Sequence, residues 1–193
     1  MPLRRLSRMT SKSTIDYGSS PITIKELECI GLLSVRFDLE AKEFTNVMKS
    51  VVGLQTPQCR KFLTNKKYQI FWMSPDEVLV KGLYDDIFSL EIKLNEKLHG
   101  YHSSVVNISD SRVFFDLEGK GVQNLLGKYC PVDFSTDSFK IGDFRRTRMA
   151  QVPIALSLLA DHKFQVMCFT SVKEYVSNLL KLGAAKESEV RFY

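Results

Sequence analysis

The sequence is short of the residue types that carry most enzyme chemistry. Its 193 residues hold three His, four Cys and a single Trp. Cys29, Cys59, Cys130 and Cys168 are scattered with no CxxC or CxC spacing, which excludes the familiar zinc clusters and, in a chain of this length, a disulfide-stapled scaffold. No GxSxG elbow, GxGxxG fingerprint or P-loop is present, so neither elbow-type hydrolysis nor dinucleotide or ATP binding has a sequence signal. His99, His102 and His162 fall at a helix end and in a hairpin turn, positions that account for them without chemistry. No run approaches the ~18 uninterrupted apolar residues of a membrane span, and the chain is read as having no membrane partner. Acids are missing from the first fifteen positions, where Arg4, Arg5, Arg8 and Lys12 lie. Much of the formal net charge of +5 therefore belongs to an arm, and the rest of the chain is nearly neutral, which argues against a dedicated nucleic-acid binder.

What is present is an ordinary globular composition, 44% hydrophobic and 25% charged, with thirteen Phe and seven Tyr. At ~150 residues per domain this is one large domain or two fused small ones. Residues 1–20 read as a flexible basic arm, whose Ser/Thr-rich, acid-free composition also fits a mitochondrial transit peptide. Leu27, Cys29, Leu33, Val35 and Phe37 sit at alternate positions, predicting one strand. Asp38 is placed to cap a helix carrying Phe44, Val47, Met48 and Val51. Residues 53–66 read as loop, and Tyr68, Ile70 and Trp72 then pair across Ser74-Pro75-Asp76 with Val78 to Val80 as a hairpin. A helix follows on the stripe Leu83, Ile87, Leu90, Leu94 and Leu98, and Val106 and Ile108 form a short strand.

The second half runs through the same series. Val113, Phe115 and Leu117 alternate, and Gly119-Lys120-Gly121 opens a helix bearing Val122, Leu125, Leu126 and Tyr129. Residues 145–159 read as one extended strand bent at Pro153, with Phe164, Val166 and Cys168 alternating behind it. Ser171 and Glu174 form a capping box for a last helix, and Val190 to Phe192 is an edge-strand candidate. Two strand-helix-strand-strand-helix-strand series in tandem, 21–110 and 111–193, define an α+β protein of two ferredoxin-like units packed into one body.

Candidate chemistry is sparse. Gly119-Lys120-Gly121 lacks P-loop spacing and serves as a tight helix entry. Asp110 and Asp133 read as turn formers, and no catalytic constellation emerges. Arg145, Arg146 and Arg148 form the densest cationic cluster outside the arm. On a strand Arg146 and Arg148 share a face, where guanidinium forks suit an anionic ligand or an acidic partner surface; a charged solvated edge strand is the competing explanation. Cys29 and Cys168 on apolar strand phases behave as small hydrophobes, which fits a reducing, cytoplasmic setting.

Several runs fit together: Met73-Ser74-Pro75-Asp76-Glu77, Val106-Asn107-Ile108-Ser109-Asp110-Ser111-Arg112, Leu117-Glu118-Gly119, Leu125 through Phe134 with Lys128-Tyr129-Cys130-Pro131-Val132-Asp133, and Arg146-Thr147-Arg148-Met149-Ala150-Gln151-Val152. In order and spacing, over roughly residues 68–182, they resemble the gamma-subunit family of heterotetrameric sarcosine oxidases. That family looks like a shortened relative of the folate-binding domain of glycine-cleavage aminomethyltransferases. The resemblance implies a non-catalytic subunit of an oxidase that demethylates sarcosine to glycine, passes the one-carbon unit to tetrahydrofolate and releases hydrogen peroxide. It implies alpha, beta and delta partner subunits, with FAD, FMN, NAD, zinc and tetrahydrofolate held in those chains and no cofactor or catalytic residue in this one. Two other readings stand beside it. One is a stand-alone tetrahydrofolate-binding or aminomethyltransferase-like protein, in which Arg146 and Arg148 meet a glutamate tail. The other is an RNA-binding ferredoxin-like module, with Phe114, on the opposite strand phase from Val113 and Phe115, as a stacking aromatic.

Overall fold

A computed structural model describes residues 22–185. The arm at 1–20, with its transit-peptide reading, and the strand expected at Val190 to Phe192 lie outside the described residues.

The strand patterns assemble into two five-stranded antiparallel sheets. The first contains β2 (Ile30–Arg36), β3 (Phe62–Thr64), β4 (Gln69–Ser74), β5 (Glu77–Leu83) and β6 (Ser104–Asn107), in the order β3-β4-β5-β2-β6. Helices α1 (Lys42–Val51) and α2 (Tyr84–Lys97) connect its strands. The second contains β1 (Thr23–Leu27), β7 (Arg112–Glu118), β8 (Phe144–Met149), β9 (Val152–Ala160) and β10 (Lys163–Phe169), in the order β1-β7-β10-β9-β8. Its helices are α3 (Val122–Tyr129) and α4 (Lys173–Ala184). Read from opposite ends, the two orders coincide: each is a ferredoxin-like sheet with one extra edge strand, β3 or β8.

The edge beside β7 is filled from the start of the chain. In the first sheet β6, which follows α2, pairs with β2. The equivalent place in the second sheet is taken by β1, with Thr23 opposite Glu118 and Leu27 opposite Phe114. The sequence reading joined Leu27 and Cys29 to the strand of Leu33 and placed residues 21–110 in one unit; β1 departs from both. The break is at Cys29, whose φ of 55° is left-handed and whose carbonyl accepts the Tyr84 amide at 2.9 Å. Period-2 alternation runs through such a break unchanged, because it records which face is apolar and not which strand is the neighbour. Cys29 is consequently exposed, not on a buried strand phase; Cys168 is buried.

The helices cover the outer faces and the sheets pack on each other, giving four layers. Leu33, Val35, Val78 and Val80 face α1 and α2 with Phe44, Met48, Ile87 and Leu94. Phe115, Leu117, Phe164 and Val166 face α3 and α4 with Leu125, Leu126, Val176 and Leu180. A third cluster lies between the sheets and joins Leu32, Phe71 and Leu79 to Phe114, Phe144 and Met167. The central strands are therefore buried on both faces, and β5 reads as a nearly continuous apolar run. Phe71 lies 5.2 Å from Phe144 and 6.2 Å from Phe114, centroid to centroid; each such buried ring contributes roughly 1.5–3 kcal/mol.

The sheets also meet at an edge. Phe62 donates its amide to Gly142 O at 3.1 Å, Phe144 donates to Arg60 O at 2.8 Å, and Lys61 and Asp143 form a backbone bridge. Burial alone would raise the Asp143 carboxyl, but hydrogen bonds from the Lys61 ammonium and the Lys140 amide, with the charges of Arg145 and Lys61, hold it below the ordinary range.

Other local readings are corrected here. The 53–66 loop contains β3. Residues 145–159 are two strands, not one bent strand: Ala150, at φ 50°, turns the chain between β8 and β9 without the Gly or Asn that marks such turns. Asp38 makes a turn by accepting from the Glu40 amide at 3.0 Å, while the N-cap position of α1 is Ala41, which offers no side-chain cap. A 3-10 turn, Thr170–Val172, leads into α4 in place of the capping box.

Candidate functional site

The motif residues act largely as fasteners. Ser109 Oγ accepts the Leu32 amide at 3.0 Å and donates to Asn107 Oδ1 at 2.6 Å, so the turn-forming acceptor of this run is Asn107, not Asp110. Asp133 accepts from the Ser135 amide at 2.9 Å and Ser138 Oγ at 2.6 Å, the turn role expected of it. Phe114, the aromatic of the RNA reading, is 1% exposed between the sheets. The sheet faces that would stack bases are packed on each other.

The three arginines of β8 diverge. Arg145 lies in the edge contact, donating to Asp143 Oδ2 and Arg60 O, both at 3.2 Å. Arg146, itself exposed, reaches back over the sheet edge, its Nη1 donating to Met73 O at 2.9 Å. Arg148, opposite Pro153, is exposed. Arg146 lines a cavity of about 70 Å³ where the layer between the sheets opens to solvent, with Met73, Pro153, Met167, Phe169 and a second arginine, Arg112. Arg148 is not among the lining residues.

Arg112 opens β7 on the phase of Phe114 and Asp116. Its guanidinium carbon lies 3.3 Å from the centroid of the Phe169 ring, a stacked contact that fixes the plane of the fork. Burial lowers its pKa, opposed by the charge of Glu77 and assisted by that of Arg146; as an arginine it stays protonated at neutral pH. Its Nε–H is buried without a hydrogen-bond partner. Nothing in the arginine cluster at 145–148 signals Arg112. The available signal was the phase of Arg112-Phe114-Asp116: a bulky aromatic opposite an already apolar face means that both faces of the strand are covered.

The site has no nucleophile of its own. Cys168, in the cavity wall, has its thiol pushed up to about 11 by burial, and Cys130 is pushed up to about 12; both are protonated at neutral pH. Among the described residues no group of three or more His, Cys, Asp or Glu side chains is gathered to hold a metal ion, and no helix is long and apolar enough to cross a membrane. On the outer side of α2, Leu83, Tyr84, Phe88 and Ile92 form an exposed apolar stripe, with the Tyr84 and Phe88 rings 5.4 Å apart.

The geometry defines a class first: paired ferredoxin-like units with their sheets face to face and a small cavity lined by Arg112 and Arg146 where the layer between them opens. The chain matches the model of the sarcosine oxidase, gamma subunit family over residues 36–186 and belongs to that family. It is 26% identical over 98 residues to a sarcosine oxidase subunit gamma of Arthrobacter sp, an alignment spanning 51% of this chain and 47% of that one. In fold it is similar to the heterotetrameric sarcosine oxidase of Corynebacterium sp. U-96, with a TM-score of 0.83, 19% identity and coverage of 94% of this chain and 93% of that one. It is also similar to aminomethyltransferase T of the glycine cleavage system of Bartonella henselae, with a TM-score of 0.60, 9% identity, and 82% and 45% of the two chains covered.

Proposed function

We propose that this chain is a non-catalytic gamma subunit of a heterotetrameric sarcosine oxidase. The complex would demethylate sarcosine oxidatively to glycine, transfer the one-carbon unit to tetrahydrofolate and release hydrogen peroxide. Family membership over residues 36–186 carries the reading. In this account FAD, FMN, NAD, zinc and tetrahydrofolate belong to alpha, beta and delta subunits in the cytoplasm, and this chain supplies contact surface. Among the described residues no group of three or more His, Cys, Asp or Glu side chains is gathered to hold a metal ion, and the Arg112–Arg146 cavity, about 70 Å³, is far below the roughly 300 Å³ of small-molecule sites. The α2 stripe supports docking, since apolar side chains grouped on one helix face are what a protein interface buries.

The test is reconstitution. Co-expressed with the flavin-bearing and folate-domain subunits, the chain is expected to co-purify with them, and its omission is expected to lower assembly or sarcosine-dependent peroxide formation. Normal assembly and turnover without it would overturn the reading.

A further inference from the structure

Arg112 and Arg146 approach each other across the mouth between the sheets closely enough for the charge of Arg146 to oppose that of Arg112. Arg112 is half-buried with the exposed Arg146 beside it, and an anion at this mouth would offset both the burial of Arg112 and the repulsion between the like charges. The described residues do not provide one. Neither arginine forms a salt bridge with an acidic side chain among the described residues. The acid whose charge reaches Arg112, Glu77, is already engaged: it accepts from Arg36 Nη2 at 3.1 Å and from Ser34 Oγ at 2.6 Å. Arg146 has one donor committed to Met73 O, and Arg112 keeps a buried Nε–H unpaired, an arrangement that costs stability unless something accepts that hydrogen.

The cavity constrains the acceptor. About 70 Å³ admits a few heavy atoms, and Met73, Pro153, Met167 and Phe169 make most of the wall apolar. The fork of Arg112, its plane fixed on Phe169, suits a planar two-oxygen group. A phosphate dianion would leave further oxygens against methionine and proline, without donors. We propose that the Arg112–Arg146 cavity is a receptor for a single carboxylate carried on a short apolar stem. A free small acid and a glutamate side chain of a partner share that chemistry. The assignment rests on this chain's own geometry and stands apart from the oxidase role.

The Nε–Hε resonance of Arg112 in nitrogen-15-labelled full-length chain reads the site directly. Propanoate is one probe and the blocked peptide acetyl-Ala-Glu-Ala-amide the other, with propanamide and inorganic phosphate as comparisons. A saturable shift of this resonance by either carboxylate is expected, and the tighter of the two identifies the source. Followed on the backbone amides of Met167 and Phe169 in the cavity wall, because the Arg112 variants lack the side-chain reporter, Arg112→Gln and the charge-keeping Arg112→Lys should each weaken binding about tenfold, as loss of a charge-assisted fork does, and Arg146→Gln should weaken it less. The proposal fails if neither carboxylate gives a saturable shift of the wild-type resonance. It also fails if propanamide or phosphate binds as well, or if Arg112→Gln, folded by its amide spectrum, binds propanoate unchanged.

Discussion

Lys81 is the most consequential single side chain outside the cationic cavity. It projects from β5 into the layer between the sheets, 8% exposed, with Nζ donating to Gln69 Oε1 at 2.6 Å and Gln165 Oε1 at 3.0 Å. Gln165 passes the polarity on by donating to Asp116 Oδ1 at 2.7 Å. Burial pulls the ammonium down to about 8, partly opposed by the charge of Asp116. Because the folded value lies below the unfolded 10.5, the unfolded chain binds more protons between the two, and stability rises with pH across that window. The gain is at most about 3 kcal/mol. Cys130 and Cys168 act in the opposite sense: their raised values favour the folded thiols below the unfolded value of 9.0, an advantage lost as pH rises toward 11 and 12. Denaturant unfolding of wild type and Lys81→Met, compared over pH 8 to 10.5, separates the two: the rise due to Lys81 should be absent in the variant. Parallel pH profiles would refute the assignment. Lys81 was not legible in the sequence, since a charged residue within an apolar strand reads as solvent-facing until a second layer is known to cover that face, and Arg112 was legible only through its shared phase with Phe114. Arg146 and Arg148 were legible as a shared strand face, but only Arg146 lines the cavity.

At the scale of elements, helices and strands follow from periodicity, while their joints follow from contacts that periodicity does not encode. Gly31 shows the difference. In the sequence it interrupts an apolar alternation; in the fold it is where α2 lies on β2. A methyl group there would sit 2.5 Å from Ile87 Cγ1 and 3.0 Å from the Tyr84 Cα, and backbone cannot yield as a side-chain end can. Gly31→Ala is expected to cost about 1–3 kcal/mol by overpacking, measured as a lower denaturant midpoint at unchanged slope; an unchanged midpoint would mean that α2 is seated less closely. The outer face of the same helix should behave oppositely. Phe88→Glu with Ile92→Glu changes exposed positions, where effects on stability are within about 0.5 kcal/mol each. The pair is expected to keep its unfolding midpoint and to lose co-purification with partner subunits. Retained co-purification would move the docking surface elsewhere. The hairpin at Ala150 and the strand break at Cys29 escaped the sequence for one reason: both turns use a non-glycine residue at positive φ, so the usual punctuation is missing.

For the whole molecule, duplication was readable because both halves repeat one order of strands and helices. The exchange of β1 was not, because strand patterns carry no address. The two units share the cluster between the sheets and the edge contact at Lys61 and Asp143, so they should unfold together. Ile24→Ala in β1 and Leu94→Ala in α2 remove buried side chains from opposite outer cores, each at a cost of about 2–5 kcal/mol. Both should shift one common transition, seen alike by tryptophan fluorescence from Trp72 and by far-ultraviolet circular dichroism. Two separated transitions would show independent units.

The placement of β1 also bears on how the chain is made. Synthesis runs from the amino terminus, so Thr23–Leu27 leaves the ribosome long before its partner β7 exists, while the strands of the intervening sheet can already pair. The second sheet is thus closed by a segment made before any strand of the first. Until Phe115 and Leu117 arrive, Ile24 remains an unpaired apolar segment for chaperones, or for a neighbouring copy, to capture.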